Sequence, residues 1–378
     1  MKKIIFEPTI SGHVLEWIHH LYEYASSLDD NFVFILPSKF EIEKKHFFWK
    51  DAKNIEIKYL TENEEKKCTA NGLLINAWNA SWIIRKYVKT ENASEVYLIF
   101  LMRLMPFLPF LLPRHTQTSG VLYRIYLYDN SKKRIRLSLE KIRYFIMAKS
   151  ARVKNIYVLN DEKGAQEFNR TYGTDKFVPL VDPLPVIKGP FHNLKAELNI
   201  PSKNTVFFQF GTIDERKNSL NILDSLFLLD EKTLESFTFI FSGRISPNIR
   251  LSFFQKIDLL KSKVQIIVFE GFLPYERIND LCYTSDCILT LYTNICQSSG
   301  TIGYAAFFKK YIIGPSKGLL GNLIKDFHLG ITIDEITPET ISTALCKKFE
   351  DTPKLYCETH SVPKFCEIFL AQNNKKTI

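Results

Sequence analysis

The chain has 378 residues, 46% of them apolar, with 30 Phe and 17 Tyr. That is enough to bury two domain-sized cores and too apolar for a disordered protein. Fifty Lys and Arg against 41 Asp and Glu leave a formal charge of +9, which favours an anionic partner such as a nucleotide or a phospholipid surface. Seven cysteines, odd in number and without a CxxC pair, argue against a disulfide framework or a metal ribbon and fit reduced thiols in a cytoplasmic protein.

The N-terminal MKKIIF reads as a first strand over Lys3–Phe6, and its apolar run reaches Glu7 too soon for a secretory leader. A helix from about Val14 to Ser26, strands at Phe32–Leu36 and Ile55–Tyr59, a helix around Trp78–Val88 and a strand at Val96–Phe100 follow. Next come a strand at Val121–Leu127, a helix over Ile135–Ala148, a strand at Ile156–Leu159 and a helix at Glu162–Tyr172. This alternation predicts parallel strands with crossover helices, a Rossmann-like first domain. The apolar stretch Val96–Pro113 is interrupted by Arg103, Pro106 and Pro109, so it is not expected to span a membrane, although it offers an apolar surface. In the helix at 135–148, Ile135, Leu139, Ile142 and Ile146 form a stripe flanked by Arg134, Arg136, Lys141 and Arg143, and Glu140 is the only acid between Lys132 and Lys154. Such a stripe suits an anionic membrane surface; it equally suits a helix packed on a sheet.

Pro179, Pro183, Pro185 and Pro190 mark the expected domain boundary, since proline continues neither a helix nor a central strand. Alternation restarts with strands at Val206–Phe210, Phe237–Phe241, Val264–Phe269, Cys287–Leu291 and Tyr311–Ile313, giving a second Rossmann-like domain. Helical patterns at Pro338–Phe349 and Pro363–Gln372 close the chain, the last expected to return to the first domain. The expected divisions are residues 1–187, 188–361 and 362–378.

The most informative tract is VFFQFGTIDERKN, Val206–Asn218: an apolar run, a glycine turn and the Arg216–Lys217 pair, leading into a helix marked by Leu220, Leu223 and Leu226. Strand, glycine turn, cation and helix arrive in the order that builds an anion site in a parallel sheet. An ordinary turn with a solvated lysine has the same letters.

Two Rossmann-like halves, this turn, and the run after Phe269 together resemble the GT-B nucleotide-sugar glycosyltransferases, closest to the retaining family-4 type. The resemblance implies an α/β fold of two domains facing across a cleft, with the acceptor on the first and the donor on the second. GTIDERKN, Gly211–Asn218, resembles the family's diphosphate motif with Lys217 as its lysine; Thr212 stands where arginine is usual, and Arg216 is a neighbouring cation. FIFSGRI, Phe239–Ile245, places Gly243 near the base. In the run from Phe269 to Leu291, Phe272 and Leu273 follow Gly271 where the base is contacted, with plain core packing the alternative for Leu273.

TNICQSSGTIGYAAFFKKY, Thr293–Tyr311, resembles the donor-binding stretch that carries two glutamates. Here Gln297 and Ala305 occupy their places: glutamine keeps an acceptor oxygen for the sugar, and alanine cannot hold the ribose. Ser298, Ser299, Gly300 and Thr301 open an apolar helix, where N–H groups and hydroxyls suit a diphosphate. ISGHVLEW, Ile10–Trp17, resembles the opening loop, with Gly12 on the donor side and His13 either touching donor or acceptor or capping the helix. Tyr128 and Asp129 fall where an acceptor hydroxyl would be oriented.

The resemblance therefore implies a hexosyltransferase-type enzyme, retaining and metal-independent, with Lys217, His13 and Gln297 as the catalytic set and the nucleotide sugar as substrate instead of a cofactor. It further implies a glycan or lipid-linked acceptor, a place in surface polysaccharide or lipopolysaccharide assembly, and a peripheral position on the cytoplasmic face of the inner membrane. A sugar-nucleotide epimerase and a non-catalytic GT-B protein are the alternatives, the latter favoured by the missing glutamates. No nucleic-acid signature accompanies the charge, so no nucleic-acid partner is expected.

Overall fold

The computed structural model describes the chain apart from residues 1, 11–13, 129–133, 186, 188, 297, 349–354 and 371–378. It divides into two compact units, Met1–Pro183 with His360–Ile378, and Leu184–Thr359. The first is built on β1 (Lys2–Phe6), β2 (Asn31–Leu36), β3 (Ile55–Tyr59), β4 (Ala93–Leu98), β5 (Gln117–Leu122), β6 (Val153–Leu159) and β7 (Phe177–Leu180). The second is built on β8 (Thr205–Phe210), β9 (Phe237–Gly243), β10 (Gln265–Glu270), β11 (Cys287–Leu289), β12 (Tyr311–Pro315) and β13 (Gly330–Ile333).

Both sheets are parallel, with strand orders β3-β2-β1-β4-β5-β6-β7 and β10-β9-β8-β11-β12-β13. In each, the chain winds to one side of its first strand and then crosses to the other, so a topological switch point falls between β1 and β4 and between β8 and β11. Residues just past the carboxyl ends of those strands face the crevice where open α/β sheets bind ligands.

The central strands are continuous apolar runs because helices cover both faces. Ile4, Phe6, Val33 and Val96 pack on one face of the first sheet; Ile5, Phe34, Tyr97 and Tyr157 pack on the other. The helix Val362–Phe369 joins that second face: Phe365 meets Trp17 at 5.0 Å between ring centroids, and Phe369 meets Tyr97 and Tyr157. The Tyr157 and Tyr97 hydroxyls donate to the carbonyls of Phe369 at 2.8 Å and Leu370 at 2.9 Å, closing two of the carbonyls that a helix end leaves open.

The structure corrects several boundaries. β5 begins at Gln117 and ends at Leu122, before most of the expected Val121–Leu127 run, which turns into a 3-10 segment at Tyr126–Tyr128. Its start is polar: the Thr116 and Thr118 hydroxyls donate to Ala93 and Val96 carbonyls. Gly120 is required there, because a Cβ would lie 2.8 Å from the Leu98 carbonyl oxygen. Pro179, read as linker, lies inside β7, the sheet's edge strand, where a missing N–H is tolerated. The short edge strand β13 and the helix Glu62–Thr69 were not foreseen.

On the helix Arg134–Lys149, Tyr144, Met147 and Ala148 face the core. Leu139 and Ile142 of the expected stripe are 59% and 55% exposed, joined by Phe145 at 53%, so this stripe is not what packs on the sheet. In the 96–113 stretch the reverse holds: Leu101, Leu104, Met105 and Leu108 are core, and Phe110 is exposed. No helix among the described residues is long and apolar enough to cross a membrane.

Candidate functional site

β8 ends at Phe210 and the chain reverses at Gly211, whose φ of +93° is a left-handed value that suits glycine. Asp214 accepts the Arg216 N–H and opens the 3-10 turn Glu215–Lys217. Its carboxylate also takes the Arg216 guanidinium at 2.9 Å, which holds this cation, half exposed, on the turn's own acid. Asn218, at φ +55°, starts the helix Ser219–Leu226.

The turn is pinned from both sides. The buried Gln209 side chain donates to the Lys217 carbonyl at 2.9 Å and accepts the Ser219 hydroxyl. From the far side of the switch point, the Thr293 N–H donates to the Arg216 carbonyl at 2.8 Å, and Asn218 donates to the Leu291 carbonyl at 2.7 Å.

Lys217 is 8% exposed. Its ammonium donates to the Phe210 carbonyl and, at 3.2 Å, to the Tyr292 hydroxyl, and it lies 4.9 Å from the Tyr292 ring centroid. No carboxylate pairs with it among the described residues. An ammonium has three donors, so one is left. A Cβ on Gly211 would stand 2.9 Å from Nζ, so glycine keeps the approach to this cation open. A buried, carboxylate-free ammonium with an unused N–H is arranged for an anion from outside.

The Tyr292 hydroxyl continues to Thr301 Oγ1 at 3.3 Å, and Ser299 Oγ meets Thr301 Oγ1 at 2.8 Å. Burial alone would raise the Tyr292 phenol. The Lys217 charge and hydrogen bonds with Thr301, Ser299 and Lys217 outweigh it and bring the group below the ordinary tyrosine range. The structure thus gathers Lys217, Gly211, Ser299 and Thr301 as the sequence suggested. The N–H groups of Gly300 and Thr301 have no acceptor among the described residues, and a Cβ on Gly300 would meet only open space. Ser298 is buried beside them.

Gly243 has a backbone role: at φ +140°, a Cβ would lie 2.0 Å from the Gly211 carbonyl oxygen. It lets the end of β9 touch the turn at Gly211. Phe272 is 75% exposed beyond Gly271, in edge contact with Tyr275, and Leu273 is half-buried. Ala305 is fully buried. In the other unit, Tyr128 donates to Asp161 at 2.9 Å, and Asp161 caps the helix Glu162–Tyr172. Gly12, His13, Asp129 and Gln297 lie outside the described residues.

Sequence reasoning missed two residues here. Tyr292 stands one position before the tract that begins at Thr293. Arg244 follows Gly243; its carbonyl accepts the Ile213 N–H at 2.9 Å, and Ile213 bridges to Ile245. Ile213 and Ile245 are buried while Thr212 and Arg244 are not, so by strand alternation these two share the outer face. Thr212, which lacks the expected arginine charge, therefore shares its face with Arg244 on the neighbouring segment, and no carboxylate pairs with Arg244 among the described residues.

Two doubly wound units, each with its switch-point loop, define the GT-B architecture. Solved structures of this fold include a glycosyltransferase from Rickettsia africae (16% identical, covering 97% of this chain and 92% of that one, TM-score 0.65). WaaG, a glycosyltransferase involved in lipopolysaccharide biosynthesis, is 12% identical over 99% and 96% of the chains, with a TM-score of 0.66. HepE of Anabaena in complex with UDP-glucose is 12% identical over 98% of each, also at 0.66. At these identities the likeness is one of fold. No protein-family model matches the chain, and no curated protein matches it.

Proposed function

We propose that the chain is a glycosyltransferase that moves a sugar from a nucleotide-diphosphate donor to an acceptor hydroxyl. One observation carries this reading: the buried Lys217 ammonium at the second switch point, with an open N–H, adjoining hydroxyls and no acid paired with it among the described residues. Charge develops on the diphosphate as the glycosidic bond breaks, and donors fixed where that charge appears lower the barrier. Lys217, Arg244, the Ser299 and Thr301 hydroxyls and the Gly300 and Thr301 N–H groups are the donors of this site. We further propose that transfer proceeds with retention and without a metal, the donor phosphate taking the acceptor's proton. His13 and Gln297 complete the proposed catalytic set, with Gly12, Phe272 and Leu273 on the donor.

The buried Ala305 offers the ribose no polar group, which favours a second reading in which the unit binds a nucleotide without transfer. A thermal-shift panel of UDP-, GDP- and CDP-sugars, followed by product analysis, separates the two. A shift that Lys217→Ala abolishes, with sugar moved to an acceptor, supports transfer; a shift without turnover supports the second reading, and no shift at millimolar concentration rejects both.

The acceptor we propose is a glycan or lipid-linked saccharide of surface polysaccharide or lipopolysaccharide assembly, met at the cytoplasmic face of the membrane. Exposed Leu139, Ile142 and Phe145 on a helix that also carries Lys141 and Lys149 support a peripheral contact with anionic lipid. Flotation with phosphatidylglycerol vesicles tests it: replacing these three by serine should release the protein, and unchanged flotation overturns the contact.

A further inference from the structure

The first unit has a cavity of about 420 Å³ at its own switch point, within the roughly 300–1,000 Å³ of small-molecule sites. Its floor is Glu7, one residue past β1; its sides come from the segment after β4, from the helices Glu62–Thr69 and Leu73–Glu91, and from Arg124, Glu140 and Arg143. None of these residues belongs to the Lys217 cluster at the second switch point, whose described residues lie in the other unit.

Glu7 is 1% exposed. Its Oε1 accepts the Thr9 N–H at 2.9 Å and the Thr9 hydroxyl at 2.6 Å, with the Arg103 guanidinium 3.6 Å away. Oε2 has no hydrogen-bond partner among the described residues. A buried carboxylate in the wall of a cavity with one oxygen unused is an acceptor awaiting a donor. Arg143 also lines the cavity: one terminal nitrogen donates to the Met102 carbonyl, Nε is enclosed by protein and not open to the cavity, and no carboxylate pairs with the guanidinium among the described residues. Burial holds this guanidinium below its ordinary range, against the pull of Glu140. Around them, Phe6, Leu98 and Ala80 give apolar walls that an aliphatic or ring face can cover.

A ligand that suits both residues carries hydroxyls for Glu7 and an anionic group for the cavity-lining charge of Arg143. We infer that this cavity binds a sugar bearing a phosphate or a carboxylate, the anion paired with Arg143 and a ring hydroxyl donating to Glu7. Guanidinium recognises either anion through parallel N–H donors, so the two share one chemistry. On the glycosyl-transfer reading, on which this label alone rests, that sugar is the acceptor or its terminal residue; the binding site itself does not require transfer.

The test is calorimetric titration of the full chain with glucose 6-phosphate, glucuronate, glucose and inorganic phosphate, repeated with UDP as a separate arm. At least one of the two anionic sugars should bind at least tenfold more tightly than both glucose and phosphate; which one does so identifies the anion. Arg143→Met should remove that preference, and Glu7→Gln should weaken the anionic sugar while leaving phosphate unchanged. Neither variant should alter UDP binding, and a cooperative thermal unfolding transition of the same circular-dichroism amplitude as the unaltered chain certifies that the first unit is folded. No saturable binding of either anionic sugar, or binding indifferent to both substitutions, overturns the proposal. Loss of UDP binding in the unaltered chain with anionic-sugar binding intact would instead remove the transfer reading and leave this site standing.

Discussion

The two switch points are the same piece of scaffold carrying opposite chemistry. After β8 the chain makes a glycine turn and buries an ammonium among hydroxyls, with no carboxylate paired to it among the described residues. After β1 it buries a carboxylate under a guanidinium and opens on a cavity with both signs of charge. The strands and crossovers do not set this difference; the few residues that follow each central strand do, because the fold delivers only their position. On the readings proposed above, one site takes an anion alone and the other a hydroxylated anion.

Two large effects would break the contrast. Lys217→Ala removes the ammonium on which the second site depends, and transfer should fall about 10²–10³-fold in kcat/KM, roughly 3–4 kcal/mol, the scale of losing one donor to developing charge. A loss under tenfold would mean that the anion is held elsewhere. In the first unit, burial pushes the Glu7 carboxyl up to about 7, against the lowering influence of Arg103 and Thr9; Arg124, Arg143, Glu140 and Cys68 also line its surroundings. A folded value above the unfolded one means that Glu7's contribution to stability is complete below about pH 4.5 and is lost as pH rises through about 7. Between pH 5 and 8 the native chain should therefore lose on the order of 3 kcal/mol relative to Glu7→Gln in urea unfolding. Parallel curves for the two proteins would show that Glu7 is not a buried acid.

Arg244→Ala sharpens the comparison further. The exposed guanidinium is screened by solvent and salt, so nucleotide-diphosphate affinity should fall only about threefold to tenfold, on the scale of one ordinary hydrogen bond. The fall should shrink as salt rises. An effect as large as that of Lys217→Ala would make Arg244 the principal cation.

What the sequence disclosed follows the same division. Parallel strands buried on both faces advertise themselves as apolar runs, so most of both sheets was legible. β7 and β13 were not, because edge strands are short and tolerate Pro179 and Gly330. Lys217 was legible because its strand, turn and helix are contiguous. Tyr292 reaches it only through the packing of the loop after β11, and Arg244 only through the register of β9 on β8. The first-unit cavity was illegible for the same reason: Glu7, Arg103 and Arg143 come from three separate segments, and Glu7 alone in sequence reads as the end of an apolar run. Gln297 and His13, drawn from the family resemblance, lie outside the described residues.

The smallest effect is the most diagnostic. Tyr292 gives Lys217 a hydrogen-bond partner at 3.2 Å and passes the network to Thr301 at 3.3 Å. Tyr292→Phe keeps the ring beside the ammonium and deletes only this bridge. If the hydroxyl serves to aim Nζ past Gly211, nucleotide affinity should fall two- to fivefold, about 0.5–1 kcal/mol. The same substitution on a Lys217→Met background should then cost nothing further, since interacting residues are non-additive and the bridge would have nothing left to aim. Equal losses on both backgrounds would mean that Tyr292 contacts the ligand directly. Neither protein should differ from its parent in the pH dependence of stability that Glu7 imposes on the other unit, because the two switch points are built from separate residues on separate sheets.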